Sequence, residues 1–405
     1  MLLSLTNKRV ILGISGGIAA YKSAELVRRL RDQGTEVQVV MTRAACEFIT
    51  PLTMQALSGR PVFTELLDHD SEAGMGHIEL ARWADVILVA PASANFLARL
   101  NAGQADDLLS ALCLAAAIPI LVAPAMNQQM WLNPATQANV TSLRSRGIRI
   151  AGPGVGDQAC GETGPGRMLE VPELMAAVAA VFETGVLAGS HIMITAGPTR
   201  EAIDPVRFIS NRSSGRMGYA LARAAVEAGA SVTLVSGPVS LGVPERVRFI
   251  AVDTAEQMRA AVMTAIESQD IFIGTAAVAD YRSVEIAPGK IKKSESGLHL
   301  DLVRNPDILA EVAGLPHPPY TVGFAAETSD LLANAREKLA GKGINMVAAN
   351  LVGAGLGFES EDNALEVLWN DGNISLALTS KEKLARQLID IVANQYRNYR
   401  TNSLH

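Results

Sequence analysis

The sequence predicts two successive α/β units, and three observations carry that reading. Short apolar runs alternate with amphipathic stretches of helical period through both halves, and the apolar runs of the first half end in polar or Gly-rich turns. Glycine (34 residues) and alanine are abundant, whereas aromatic residues make up only 4%. Strands separated by helices imply a parallel sheet covered on both faces, and small side chains suit closely packed layers. With 405 residues, 49% of them hydrophobic, the chain can bury more than one core.

In the first half, residues 9–14 read as a strand, 18–31 as a helix closed by Gly34, 36–41 as a second strand, 85–90 as a third and 118–123 as a fourth. These strands run into Ser15-Gly16-Gly17, Thr42, Pro91-Ala92-Ser93-Ala94-Asn95 and Pro124-Ala125-Met126-Asn127. Ligands of open α/β sheets bind at such carboxyl ends. An Ala-rich helix follows within 171–190, then two glycine turns, and a new strand opens at His191. The boundary is placed there, giving domains 1–190 and 191–405. The second half restarts with a strand at 192–195, a Gly-containing loop, a helix over 217–228 and a strand at 231–235. Further strands are expected at 271–274, 321–324 and 346–349, while 298–303 and 365–378 alternate like hairpin strands.

Charge and cysteine usage exclude several classes. Thirty-five Lys plus Arg stand against 41 Asp plus Glu, a net charge of -6, with no basic stripe to neutralise a phosphate backbone. No nucleic-acid partner is expected. The three cysteines, Cys46, Cys113 and Cys160, form no Cys-x-x-Cys pair, which argues against a disulfide framework and common zinc sites and fits a reducing cytoplasm. The uncharged run 108–126 is nearly long enough to cross a bilayer, but Pro119 and Pro124 interrupt it and Asp106-Asp107 open it as a helix, so a helix followed by a buried strand is expected, with no membrane partner. Lys8-Arg9 before the run 10–20 imitates a signal peptide, but Ser15-Gly16-Gly17 breaks it into strand and loop.

Ser15, Gly16 and Gly17 join the first strand to the first helix, where free N–H groups and a partial positive charge suit a phosphate. The stretch lacks both Gly-x-Gly-x-x-Gly and the Lys-Ser/Thr of a P-loop, so a mononucleotide is the favoured ligand, and a turn needed only for packing is the alternative. Gly13 to Gly17 also fits the nucleophile elbow Gly-x-Ser-x-Gly, although that elbow follows several strands in its own fold. His77 beside Gly76 is a catalytic base or an ordinary surface histidine. Cys160 lies in a Gly-rich stretch read as a mobile flap, whereas Cys46 and Cys113 read as packing. His77, Asn127 and Cys160 also permit a thiol hydrolase, but a flap does not activate a thiolate as a helix start does, and the thiol is better cast as a proton donor.

In the second half, 195–199 and 210–218 surround one helix start, again a phosphate-binding arrangement. Lys290-Ile291-Lys292-Lys293 follows the strand-end stretch Ala276 to Tyr281, which contains Asp280, and reads either as an anion site or as a solvated loop. Asn305-Pro306-Asp307-Ile308, with Lys338 and Lys342 four apart on a helix, completes a candidate triphosphate site. Two such lysines repel unless an anion sits between them.

These residues carry a family resemblance. The first half resembles the flavin-dependent cysteine decarboxylases through Ser-Gly-Gly-Ile-Ala-Ala-Tyr-Lys at 15–22, Pro-Ala-Ser-Ala-Asn at 91–95, Pro-Ala-Met-Asn-x-x-Met-Trp at 124–131 and Ala-Cys-Gly at 159–161. Phe96 departs from the Thr that related decarboxylases often carry. The second half is similar to the ligase partner in Ile-Thr-Ala-Gly-Pro-Thr-Arg-Glu at 194–201, Asn211 with its Ser-Ser-Gly, Ala-Ala-Val-Ala-Asp-Tyr at 276–281, Lys-Ile-Lys-Lys and Asn-Pro-Asp-Ile. The whole chain thus resembles the bacterial bifunctional phosphopantothenoylcysteine decarboxylase / phosphopantothenate–cysteine ligase family of coenzyme A biosynthesis.

The resemblance implies a flavodoxin-like or Rossmann-like parallel sheet followed by a second Rossmann-like ligase domain. It implies FMN held by Ser15, Gly16, Gly17, Thr42, Ser93 and Asn95, with His77 assisting oxidation of the substrate thiol, Asn127 holding its carboxylate and amide, and Cys160 delivering a proton. The ligase half would use CTP and Mg²⁺ to form an acyl cytidylate of 4'-phosphopantothenate that the amine of cysteine attacks. Asn211 would brace that intermediate and Lys290 neutralise phosphates, with Ala276, Asp280, Asn305, Pro306, Asp307, Ile308, Phe324, Lys338 and Lys342 around the nucleotide. A homo-oligomer built from trimers of the decarboxylase domain is expected. The non-enzyme alternative is a flavodoxin-like electron carrier fused to a nucleotide-binding module.

Overall fold

The computed structural model describes residues 5–66, 76–159, 161–292, 298–327, 330–351 and 362–403. The chain divides into two compact units, Met1–Phe182 and Glu183–His405. The segment 183–190 goes with the second: the Thr184 amide donates to the Glu227 carbonyl (3.2 Å), the Leu187 amide to that of Ala228 (2.8 Å), and Leu187 is buried.

The first unit is built on a parallel five-stranded sheet of β1 (Arg9–Ile14), β2 (Glu36–Met41), β3 (Val86–Ala92), β4 (Ile120–Pro124) and β5 (Arg149–Ile150), in the order β2-β1-β3-β4-β5. Side chains alternate across it: Val10, Leu12 and Ile14 join one core with the helices Ala20–Asp32 and Val171–Phe182, while Ile11, Ile87 and Val89 join the other with Ala94–Ala102 and Leu108–Ala115. Both faces are therefore dry, which is why these strands read as continuous apolar runs. Leu26, Val27 and Leu30 are the inward stripe of the first helix and contribute roughly 1.5–3 kcal/mol each on burial. The helix stops at Gly34, whose amide donates to Arg31 (2.8 Å) at a φ of 76°.

The apolar run 108–126 resolves as expected. Asp107 caps Leu108–Ala115 in a capping box with Ser110, the chain turns extended at Ala116, and β4 follows. Among the described residues no helix is long and apolar enough to cross a membrane. The Gly-rich stretch read as a mobile flap contains an antiparallel hairpin, β6 (Gly154–Asp157) with β7 (Thr163–Arg167).

The second unit carries an eight-stranded sheet. Its strands are β8 (His191–Ala196), β11 (Ser231–Ser236), β12 (Val247–Ala251), β13 (Ile271–Gly274), β16 (Tyr320–Glu327), β17 (Met346–Leu351), β18 (Asp362–Trp369) and β19 (Gly372–Ser380). The order is β12-β11-β8-β13-β16-β17-β18-β19, parallel as far as β17 and antiparallel beyond it. Two small antiparallel pairs lie outside it, β9 (Arg200–Ala202) with β10 (Phe208–Ser210) and β14 (Tyr281–Ser283) with β15 (Leu302–Arg304). Met193, Phe272 and Val347 turn one face toward the helices Ala255–Ala265, Ile308–Ala313 and Leu331–Lys342. The other face holds the helix Arg216–Glu227, which packs against the C-terminal helix Lys381–Ser403.

Candidate active sites

In the first unit the chain leaves β1 in opposite directions to β2 and β3, so the carboxyl ends of β1 and β3 form the switch-point crevice of the sheet. Ser15 stitches it: its buried hydroxyl donates to the Pro91 carbonyl (2.8 Å) and accepts from the Ser93 amide (2.8 Å). Ser93 in turn caps the helix Ala94–Ala102 by accepting from Phe96 (3.2 Å), with Asn95 exposed in its first turn. Thr42 caps the short helix Arg43–Cys46, accepting from the Ala45 amide (3.3 Å), and its own amide donates to the Ile14 carbonyl (3.0 Å). Gly16-Gly17 leads into the helix Ala20–Asp32, whose N-terminus has no side-chain cap, and the space beside the Gly17 α-carbon is open.

A hydroxyl engaged on both sides and buried is not a presented nucleophile, so the elbow reading of Ser15 falls. Lys22, from the same motif, is also committed: it is buried and donates to Glu170 (2.8 Å) and the Met168 carbonyl (3.3 Å). That contact, despite the burial that opposes it, holds the Glu170 carboxyl below the usual carboxylate range.

Asn127 caps Gln128–Leu132 through its side-chain oxygen, which accepts from Gln129 (2.8 Å), and its amide donates to Glu162 (2.8 Å). Gln158 accepts from the Gln128 amide (3.0 Å) and donates to Pro165 (3.2 Å), while Met126 donates to Gly166 (2.9 Å). The end of β4 and the β6–β7 hairpin thus form one polar lattice around Asn127. Gly166 is required there, because with φ at 138° an added Cβ would lie 2.3 Å from the Met126 carbonyl oxygen. Gln128, Gln158 and Glu162 escaped the sequence reading: Gln128 falls at an unspecified position of the 124–131 motif, and Gln158 and Glu162 have only their place between glycines. Cys160 lies outside the described residues. Cys113 is buried and its thiol is pushed up to about 12, chiefly by burial, as a packing cysteine should be. Cys46 packs beside the first core. His77 is half-buried in the first turn of Gly76–Trp83. Since that helix delivers the chain to the amino end of β3, its opening turn is the end nearer the carboxyl edge.

The second unit opens a cavity of about 710 Å³ at the carboxyl ends of its central strands. Asn211, Ala276, Asp280, Asn305, Pro306, Asp307, Ile308, Phe324, Lys338 and Lys342 all line it, whereas Lys290 does not. Lys290 is exposed on the segment after β14. Next to it the Ile291 amide donates to buried Asp204 (3.2 Å) and its carbonyl accepts from Arg207 (3.2 Å). Asn211 donates to the Val278 carbonyl (3.0 Å), and Asn305 to that of Ala279 (2.8 Å), so both amides brace the 276–280 loop. Gly218 lets the helix Arg216–Glu227 approach the sheet, since a Cβ there would stand 2.6 Å from that of Ala196.

The paired lysines are not left facing each other. Lys342 meets Asp307 at 2.8 Å and Lys338 donates to the Phe324 carbonyl (2.6 Å), so the anion that the sequence reading sought for Lys342 is supplied by the chain itself. Burial works against the Asp307 charge, but the Lys342 ion pair, the Ala310 amide and nearby Lys338 together hold its carboxyl below the usual range. Arg216, from the 210–218 stretch, also lines the cavity, as do Asn350, Asn363 and Lys381, which belong to no motif recognised in the sequence.

Comparison with known proteins agrees with this two-unit architecture. Residues 2–183 match the flavoprotein family and residues 187–396 the DNA/pantothenate metabolism flavoprotein C-terminal domain. The coenzyme A biosynthesis bifunctional protein CoaBC of Vibrio parahaemolyticus is 56% identical over 96% of this chain and 98% of its own. That of Escherichia coli K12 is 53% identical over 97% and 98%. The solved C-terminal domain of a CoaBC protein is 38% identical, covering 53% of this chain and 99% of its own with a TM-score of 0.46. The chain belongs to the coenzyme A biosynthesis bifunctional CoaBC family, enzymes that join a flavoprotein decarboxylase unit to a ligase unit.

Proposed function

We propose that the first unit binds FMN and decarboxylates phosphopantothenoylcysteine, and that the second uses CTP to join 4'-phosphopantothenate to cysteine. The observation that carries the flavin reading is the convergence of Ser15, Thr42 and Ser93 on the β1–β3 crevice beside an uncapped helix N-terminus. Gly16 and Gly17 would let the phosphate approach the backbone there, and Thr42, Ser93 and Asn95 would offer polar partners. When bound, FMN supplies the electron acceptor for oxidation of the substrate thiol and returns the electrons after carbon dioxide leaves. His77 takes a proton in the oxidative half. Asn127, fixed by its lattice, orients the carboxylate and amide of the substrate so that the new thioaldehyde can accept the electron pair of the breaking C–C bond. Cys160 returns a proton to the enethiolate.

In the ligase cavity the carboxylate of 4'-phosphopantothenate attacks the α-phosphate of CTP, releasing pyrophosphate, and the amine of cysteine then displaces CMP. Asn211 braces the acyl cytidylate, and Lys290 folds its charge toward the phosphates from outside the lining. Asp280, which lines the cavity, is a hard oxygen donor of the kind that would hold Mg²⁺, and the ion would supply charge neutralisation of the phosphates. The boundary is proposed near 190, and the enzyme is placed in the cytoplasm as a homo-oligomer of trimers, with exposed Ile18, Tyr21, Leu52, Met130 and Leu132 supporting an association surface. The test is incubation of the purified chain with 4'-phosphopantothenate, cysteine, Mg²⁺ and CTP or ATP. Phosphopantetheine and pyrophosphate should form with CTP; no amide product, or an equal rate with ATP, contradicts the ligase reading.

A further inference from the structure

In the second unit the segment that carries Lys290 is tied on both sides of that residue to the turn of the β9–β10 hairpin. The Ala287 amide donates to the Ile203 carbonyl (3.0 Å), the Ile291 amide to the Asp204 carboxylate (3.2 Å), and the Arg207 guanidinium to the Ile291 carbonyl (3.2 Å). Lys290 thus directly precedes a residue gripped by both of its backbone polar groups, while its own side chain is exposed. The backbone is confined and only the ammonium swings. The same hairpin leads into the cavity: Asn211 follows β10 and donates to the Val278 carbonyl (3.0 Å).

Asp204 does more than this turn requires. Its side chain is 0% exposed, a place a carboxylate takes only with its oxygens satisfied. Oδ1 accepts from the Val206 (2.7 Å) and Arg207 (2.8 Å) amides, which by itself closes the turn as an Asx motif. Oδ2 is left for Ile291, 87 residues further along the chain, with the Arg207 guanidinium 3.6 Å away. An ionised acceptor makes that tie stronger than a neutral one. Because Lys290 is outside the cavity lining, its use to a phosphate depends on where the backbone launches it, and a segment ordered in advance loses less freedom when the ligand arrives.

We infer that Asp204 is a positioning residue of the ligase reaction, which acts through the Ile291 amide to hold Lys290 where its charge reaches the nucleotide. The inference rests on the proposed role of Lys290. Asp204→Asn separates the two duties of the side chain, since the amide oxygen can still close the turn while the NH₂ faces the Ile291 N–H, donor against donor. CTP-dependent amide formation is measured on full-length wild type, Asp204→Asn, Lys290→Gln and the double variant, with decarboxylation of supplied phosphopantothenoylcysteine as the control in the same chain. Asp204→Asn should lower kcat/KM for CTP by roughly tenfold, with decarboxylation unchanged, and hydrogen exchange of the peptide containing Ile291 should quicken. In the Lys290→Gln background the same substitution should change ligation by less than about twofold, because its route to the reaction is already gone. An equal loss in both backgrounds marks a merely structural role and overturns the inference, as does wild-type ligation by Asp204→Asn. If Lys290→Gln ligates like wild type, the role of Lys290 falls and takes the positioning with it; if Lys290→Gln is impaired and Asp204→Asn is not, the positioning alone falls. Should Asp204→Asn fail to fold, Asp204→Ser, whose shorter hydroxyl can serve the turn but not reach Ile291, is put through the same cycle.

Discussion

Ser15 and Ser93 are joined across the β1–β3 crevice: the Ser93 amide donates to the Ser15 hydroxyl at 2.8 Å, and that hydroxyl donates in turn to the Pro91 carbonyl at the same distance. The bond fixes the start of the helix that Ser93 caps. Replacing Ser15 by Ala leaves the Ser93 amide without this partner, which costs about 1–3 kcal/mol, while the Pro91 carbonyl keeps the Ser15 amide. Urea denaturation of Ser15→Ala should show that loss in the first unit, together with lower flavin content. Wild-type stability and flavin content would show the bond to be dispensable.

Gly166 lies against the Met126 carbonyl oxygen, where an added methyl group would be 2.3 Å away. Gly166→Ala must move the hairpin off the loop that carries Asn127, at a cost of roughly 1–3 kcal/mol. Decarboxylation should fall while amide formation in the second unit is unchanged. Product analysis by mass spectrometry reads both steps in one mixture.

Asp307→Asn removes the partner of Lys342. Because the folded-state pKa of Asp307 is depressed below its ordinary 3.8, its contribution is present above that value and is lost as pH falls through the folded-state value. The stability gap between wild type and Asp307→Asn should therefore be full at neutral pH and shrink below about pH 4. A gap that grows on acidification contradicts the ion pair as its source.

Cys160→Ser keeps the size of the side chain but replaces a thiol, of pKa about 8.5, with a far weaker acid. Oxidation and loss of carbon dioxide need no such acid, so the variant should accumulate an oxidised, decarboxylated product and lose roughly a hundredfold in turnover to phosphopantetheine. Normal turnover removes Cys160 from the reaction.

The parallel layers were legible because their strands are buried on both faces and so read as unbroken apolar runs; 271–274 is reproduced to the residue. What escaped lacks that signal. The edge strand Val247–Ala251 is mostly exposed, and the hairpin at 154–167 is held by glycine geometry and polar side chains rather than by an apolar stripe. Several motif residues of the ligase half, Lys290 excepted, line one cavity, because strand-end loops must meet at the carboxyl edge. Lys381 could not be found that way, since it reaches the cavity from the far end of the chain only after β18 and β19 turn antiparallel. Membership of an enzyme family removes the electron-carrier alternative.

The most direct test of the account is flavin stoichiometry. Purified full-length protein, denatured by heat and analysed by chromatography, should release FMN at near one per chain, and Ser15→Ala should release less. A colourless protein that cannot be reconstituted with FMN would contradict the flavin site and, with it, the decarboxylase chemistry assigned to His77, Asn127 and Cys160.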